Sequence, residues 1–178
     1  MTEFRNSLWA PWRMAYIETL AERDKDSCFL CDYWNEPHRD AENHVLWRTK
    51  RSFVVMNLYP YSNGHMLICP AAHKATMDEL DADEMLEMMR LTRDVHKVLA
   101  RAVNAQGANV GMNFGHCAGA GLPDHLHVHV VPRWAGDTNF MTVLGDVRVI
   151  PQALDAVYNR MREVADELNL PSLDGAGT

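Results

Sequence analysis

Nowhere does the sequence hold about 18 consecutive apolar residues, the length a membrane-crossing helix needs. Its opening, MTEFRNSLWAPWRMAY, lacks the apolar stretch and small-residue cleavage site of a secretory signal. Both absences lead to the expectation of a soluble, cytoplasmic protein with no membrane partner. Cations are not in surplus either: 17 Lys and Arg stand against 24 Asp and Glu, a formal net charge of −7. That balance leaves little to neutralise a phosphate backbone, so nucleic acid is not an expected partner. Cysteine is scarce, with four in 178 residues. A chain of this size does not need disulfide staples, and the C-x-x-C pair Cys28 and Cys31 reads as reduced thiols or metal ligands. The composition of a disordered chain is missing as well, since 47% of residues are hydrophobic and five are Trp.

The pattern that remains is one α+β domain in three stretches. Residues 1–43 form an arm with aromatic anchors (Phe4, Trp9, Trp12, Tyr16) and the C-x-x-C. Residues 44–134 form the core, and 135–178 an extension with a helix. In the core, HVLWR, SFVVMN and HMLICP are short β-rich runs, the last two joined by the turn material Tyr59 to Gly64. Asp81 and Glu84 have capping-box spacing. After them Met85, Met88, Thr92, Val95, Leu99 and Ala102 recur at three or four residues until Gly107, which predicts one amphipathic helix with a core-facing stripe. A strand NVGMNFG leads into the glycine-rich segment His116 to Gly121, and HLHVHVVPR is predicted as the next strand. Leu154, Val157, Tyr158, Met161, Val164 and Leu168 mark a last helix between Pro151 and Pro171, and Asp174 to Thr178 are expected to fray.

Chemistry concentrates at His125, His127 and His129. In a strand, alternate side chains share a face at roughly 6.5 to 7 Å, so the three imidazoles would line up while Leu126, Val128 and Val130 face the core. Packing alone does not call for three such groups, because each buried imidazole needs a hydrogen-bond partner. Imidazoles in this pattern either ligate a catalytic metal or attack phosphorus while neighbours hold its oxygens. Gly115, Gly119 and Gly121 let backbone amides turn toward an anion, and no carboxylate ligands for a second metal stand nearby. Phosphorus chemistry is the better fit.

The run from His125 to Val131, with FVVMNLYPYSNGHMLICPAAH upstream, resembles the histidine triad superfamily of nucleotidyl hydrolases and transferases over about residues 44 to 134. The flanks SLWAPWRMAYI and HVVPRWAGDTNFM are similar to a bacterial branch that acts on diadenosine tetraphosphate. The resemblance implies a five-stranded antiparallel sheet with packed helices, a homodimer, and cleavage of adenine dinucleoside polyphosphates. It implies that His127 is the nucleophile, that His129 touches the same phosphate and that His65 supports them. Asn57 would reach the ribose, and Asn113 with Gly119, Ala120 and Gly121 would hold the phosphate. Phosphoramidase and dinucleoside-triphosphate hydrolase members of the family carry Gln then Ser or Thr where this chain has Gly121 and Leu122. That open position leaves room for inorganic phosphate as the acceptor in place of water. A slow-turnover nucleotide-binding interaction protein and a purine nucleoside phosphoramidase are the alternatives.

Relatives that bear structural zinc complete a Cys pair with a histidine after the second core strand and the first triad histidine. Those positions match His73 and His125 here, with His44 as the rival of His73. Cys69 reads as core, His38 and His96 as surface, and His116 as a residue the family pattern does not demand.

Overall fold

The structure, a computed structural model, describes residues 28–137 and 150–173. The aromatic anchors Phe4, Trp9, Trp12 and Tyr16, the Thr138 to Met141 part of the C-terminal flank and the end from Asp174 lie outside the described residues.

Five strands form one antiparallel sheet in the order β1-β2-β3-β5-β4: β1 (Val45–Arg48), β2 (Ser52–Met56), β3 (Met66–Pro70), β4 (Gly107–Gly111) and β5 (Val128–Arg133). β2 and β3 are buried along their whole length. Their β-branched and large apolar residues therefore serve two cores, and the pleat sorts them by parity. Val54, Met56, Met66 and Ile68 join the larger cluster. Phe53, Val55, Leu67 and Cys69 join a smaller one on the other face with Leu30 and Cys28.

Helix α2 (Ala82–Ala102), the second of three α-helices among the described residues, covers the larger face. It starts where the sequence predicts, with Glu84 N donating to Asp81 Oδ1 and Asp81 N donating to Glu84 Oε2, both at 2.8 Å. A cap of this kind is worth about 1 kcal/mol. The buried stripe is Met88, Leu91, Val95, Val98 and Leu99. Helix α3 (Leu154–Glu167) packs beside it through Val157, Tyr158, Met161 and Val164. The first helix, α1 (Phe29–Asn35), is short, and it seats Leu30 in the smaller core while presenting both cysteines of the C-x-x-C.

The histidine strand is shorter than the pattern predicts. Strand pairing begins at Val128, opposite Ile68, so His125 and His127 precede it. Leu126 N donates instead to Lys74 O at 2.6 Å, and this bond diverts the chain before it reaches the sheet. The ring centroids of His127 and His129 lie 4.8 Å apart, edge to face. The fourth strand also begins and ends earlier than NVGMNFG, at Gly107 and Gly111.

Candidate functional site: two histidine groups on one strand

β3 carries a group of polar side chains at each end. At its start, Asn57 N donates to His65 O at 2.9 Å and closes the β2–β3 hairpin, which sets Asn57 and His65 side by side. Leu67 and Gly111 flank His129 in the sheet, so His129 emerges beside them. At the other end, Pro70 O meets His125.

The proton positions of the first group follow from donors that have no choice. Tyr61 N–H donates to His65 Nδ1 at 3.1 Å, so that nitrogen is an acceptor and the neutral ring carries its proton on Nε2. His65 Nε2–H then donates to His129 Nδ1 at 2.9 Å. His129, accepting at Nδ1, keeps its own proton on Nε2; Asn113 Nδ2 lies 3.4 Å from that nitrogen, and because both are donors a bond between them requires the Asn113 amide turned with Oδ1 inward. Asn57 is oriented the same way: its Oδ1 accepts from Tyr59 N at 2.9 Å, leaving Nδ2 to face His65 Nδ1 at 3.3 Å. His127 Nδ1 lies 2.8 Å from His125 O, and a carbonyl only accepts, so Nδ1 bears the proton and Nε2 holds a bare lone pair. Burial lowers the His127 and His129 imidazoles, His129 to about 4, which keeps both neutral near pH 7. The group thus contains one nucleophilic nitrogen and, beside it, one N–H donor.

The second group is Cys28, Cys31, His73 and His125, whose ligand atoms all lie within 4.8 Å of one another. His125 donates Nε2–H to Pro70 O at 3.0 Å and turns Nδ1 to Cys28 Sγ at 3.1 Å and Cys31 Sγ at 3.6 Å. His73 Nδ1 lies 3.2 Å from Cys31 Sγ. Ligands of a tetrahedral zinc stand about 3.3 to 3.8 Å apart, so these separations are close to what the ion needs. Burial, with the Cys28 sulfur beside it, pushes the Cys31 thiol up to about 12. Two adjacent thiols faced by an imidazole lone pair form a donor set that a divalent cation would satisfy. His44 is not part of this group: its Nε2 bonds Asp155 Oδ1 at 2.7 Å.

The glycine-rich segment lies between Asn113 and His125. It contains a one-turn 3-10 helix (His116–Ala118), and Ala120 N donates back to Gly115 O at 3.4 Å. Gly119 takes a φ of +84°, which glycine adopts without strain, and a Cβ there would meet no heavy atom within 4 Å. Cys69 is fully buried, and His38 and His96 are exposed. Sequence reasoning missed Tyr61, whose ring covers the His65–His129 pair. The signal was present in the Tyr59 to Gly64 turn, but a turn tyrosine carries no chemical pattern.

Comparison with known proteins agrees with this geometry. The HIT domain family model matches residues 38–136, which include all five strands, α2 and every histidine of both groups. Over 151 residues the chain is 40% identical to the AP-4-A phosphorylase of Mycobacterium tuberculosis, covering 83% of this chain and 77% of that protein. It is 33% identical over 95 residues to the asymmetrical bis(5'-nucleosyl)-tetraphosphatase of Schizosaccharomyces pombe, with 53% of this chain and 52% of that protein covered. A zinc-bound histidine triad family protein from Mycobacterium smegmatis has the same fold, with a TM-score of 0.66 at 22% identity over 80% of this chain and 96% of that one. A histidine triad nucleotide-binding protein from Sulfolobus tokodaii follows at 0.65 and 26% identity, over 80% and 94%. With more than half of its length matched by the family model and its triad histidines arranged as described, the chain belongs to the HIT family.

Proposed function

We propose that this protein is a nucleotidyl transferase or hydrolase that cleaves adenine dinucleoside polyphosphates, diadenosine tetraphosphate foremost, with inorganic phosphate as the preferred acceptor. The observation that carries this reading is the hydrogen bond from His127 Nδ1 to His125 O, which leaves Nε2 bare beside the His129 donor. The name of the Mycobacterium tuberculosis relative supports the substrate class.

In the first step the His127 Nε2 lone pair attacks the phosphorus next to one adenosine. A P–N bond forms, and the P–O bond to the rest of the molecule breaks, releasing ATP from diadenosine tetraphosphate. His129 Nε2–H donates to a phosphate oxygen as charge builds there, and the His65 and Tyr61 N–H groups behind it keep that proton outward. In the second step an oxygen of inorganic phosphate attacks the same phosphorus, the P–N bond breaks, and ADP leaves with the Nε2 lone pair restored. Asn57 and Asn113 are assigned to the ribose and the phosphate, and the Gly119, Ala120 and Gly121 backbone to the phosphate oxygens. Gly121 also opens space where other family members carry glutamine. Preference for phosphate requires that it be positioned and that water be kept from the intermediate.

Zinc held by Cys28, Cys31, His73 and His125 would supply structural rigidity. The carbonyl that fixes the His127 tautomer belongs to His125, so holding that residue also holds the nucleophile. The active form is assigned as a cytoplasmic homodimer. β4 stands at the end of the strand order, and Val110 and Phe114 near it are about half exposed, which supports edge-side pairing with a second copy.

Labelled inorganic phosphate incubated with the protein and diadenosine tetraphosphate tests the reading. Label in ADP, with ATP as the other product, is expected. AMP and ATP at millimolar phosphate would replace phosphate by water as acceptor, and no cleavage would leave a nucleotide-binding protein. An acid-labile nucleotidyl group trapped on His127 in a single turnover tests the intermediate.

A further inference from the structure

Tyr61 sits in the turn between β2 and β3 and is 44% exposed as a residue. That ring lies 4.7 Å from the His65 ring at 35° and 5.7 Å from the His129 ring at 23°. The same residue's N–H fixes the His65 tautomer. A half-exposed aromatic side chain on a surface turn gains little from burial. Here it spends its one covered face on two polar imidazoles, and aromatic stacking of this kind holds relative ring orientation.

We propose that Tyr61 is a positioning residue for nucleotidyl transfer: its ring clamps the His65–His129 pair and excludes water from the hydrogen bond between them, so that His129 presents Nε2–H to the substrate phosphate. The inference rests on the reading of His127 as nucleophile. The bond that the ring covers, His65 Nε2–H to His129 Nδ1 at 2.9 Å, decides which His129 nitrogen carries the proton. Water admitted there competes both as donor and as acceptor, and the other tautomer would turn a lone pair toward the phosphate oxygen. Among the described residues, the groups placed against His129 are the rings of His65, His127 and Tyr61 and the Asn113 amide. Burial is the main reason His129 stays at about 4, followed by the charge of His127, so uncovering the ring moves His129 back toward the ordinary histidine range.

The test compares Tyr61→Phe with Tyr61→Ala in the full chain, with Tyr61→Leu as an aliphatic variant of intermediate bulk should alanine not fold. Tyr61→Ala is expected to lower kcat on diadenosine tetraphosphate by roughly 10- to 100-fold. KM should change by less than about threefold, and Tyr61→Phe should keep kcat within about twofold, because the ring and not the hydroxyl does the positioning. Nitrogen-15 NMR of the imidazoles in the ligand-free protein gives a readout that needs no turnover. Alanine should raise the His129 midpoint by about one unit or more and mix its tautomers, while phenylalanine leaves both unchanged. The proposal is overturned by wild-type kcat and an unmoved His129 in Tyr61→Ala, by a phenylalanine variant as impaired as alanine, or by an effect confined to KM. Failure of the functional reading looks different: His127→Ala would retain turnover while the NMR result at His129 still stood.

Discussion

The two ends of β3 hold histidines of one short segment put to opposite uses. At the Pro70 end, His125 gives its proton to a carbonyl and turns Nδ1 toward two sulfurs. At the Met66 end, His129 accepts at Nδ1 and turns its proton outward. His127, between them, gives its Nδ1 proton to His125 O and keeps Nε2 bare. A neutral imidazole has a single proton to place, so the partner that fixes one nitrogen decides what the other can do. Two carbonyls and one backbone N–H thereby leave three like side chains with, in turn, a lone pair facing two sulfurs, a bare Nε2 and an outward N–H. The difference teaches that the main chain assigns the chemistry, and that the two ends meet in the single bond from His127 to His125.

The sharpest way to break this division is to remove His127, the proposed nucleophile. His127→Ala is expected to lower kcat by about three orders of magnitude or more, since covalent catalysis has no substitute nitrogen there. Metal content per chain should stay at the wild-type value. Steady-state kinetics and elemental analysis of the same preparation check both halves, and loss of metal in this variant would show that the two ends are one unit. Cys31→Ser attacks from the other side. It should abolish the expected one zinc per chain and lower Tm by about 4 °C or more in calorimetry, because a metal that binds only the folded state stabilises it by linkage. Turnover should fall by roughly tenfold, less than for His127→Ala, as the His125 carbonyl loosens.

Much of this division was legible beforehand. The capping box at Asp81, the stripe along α2 and the short β-rich runs of β2 and β3 are local signals, and each is where the sequence puts it. The Cys28, Cys31, His73 and His125 grouping was legible only through resemblance, for residues 28 and 125 are joined by tertiary packing that no spacing reveals. The start of β5 was misjudged because alternation of His with Leu and Val looks like a strand, whereas the bond from Leu126 N to Lys74 O diverts the chain first. Tyr61 was not legible, since its role depends on where a turn happens to lay a ring.

The next largest effect is expected from acid acting on His129. His129 is held at about 4 by burial, while an unfolded histidine titrates near 6.5. As pH falls below 6.5 the unfolded chain takes up a proton that folded His129 refuses, so its contribution is complete above 6.5 and is lost progressively down to about 4. The loss from this residue is at most about 3 kcal/mol. Urea denaturation of wild type and His129→Asn at pH 7 and at pH 4.5 checks the sign. The wild type should lose more stability between those values than the variant, and equal losses would remove His129 from the account.

The smallest effect is expected at Gly64, the residue before His65. Its φ is +85°, and a Cβ built there would come within 2.8 Å of Met161 Cε and 3.2 Å of Leu99 Cδ2. Both neighbours are side-chain ends, and a methionine tip yields readily, so the backbone conformation rather than the contact sets most of the penalty. Gly64→Ala should therefore cost about 1 to 2 kcal/mol, a fall in Tm of a few degrees for a chain of this length. The strain falls on the hairpin that delivers His65 and Asn57, at the opposite end of β3 from Pro70. Turnover should drop several-fold while metal content remains that of the wild type. A Gly64→Ala protein that loses metal in proportion to activity would mean that strain at one end of β3 reaches the other, and that the two groups are not independent.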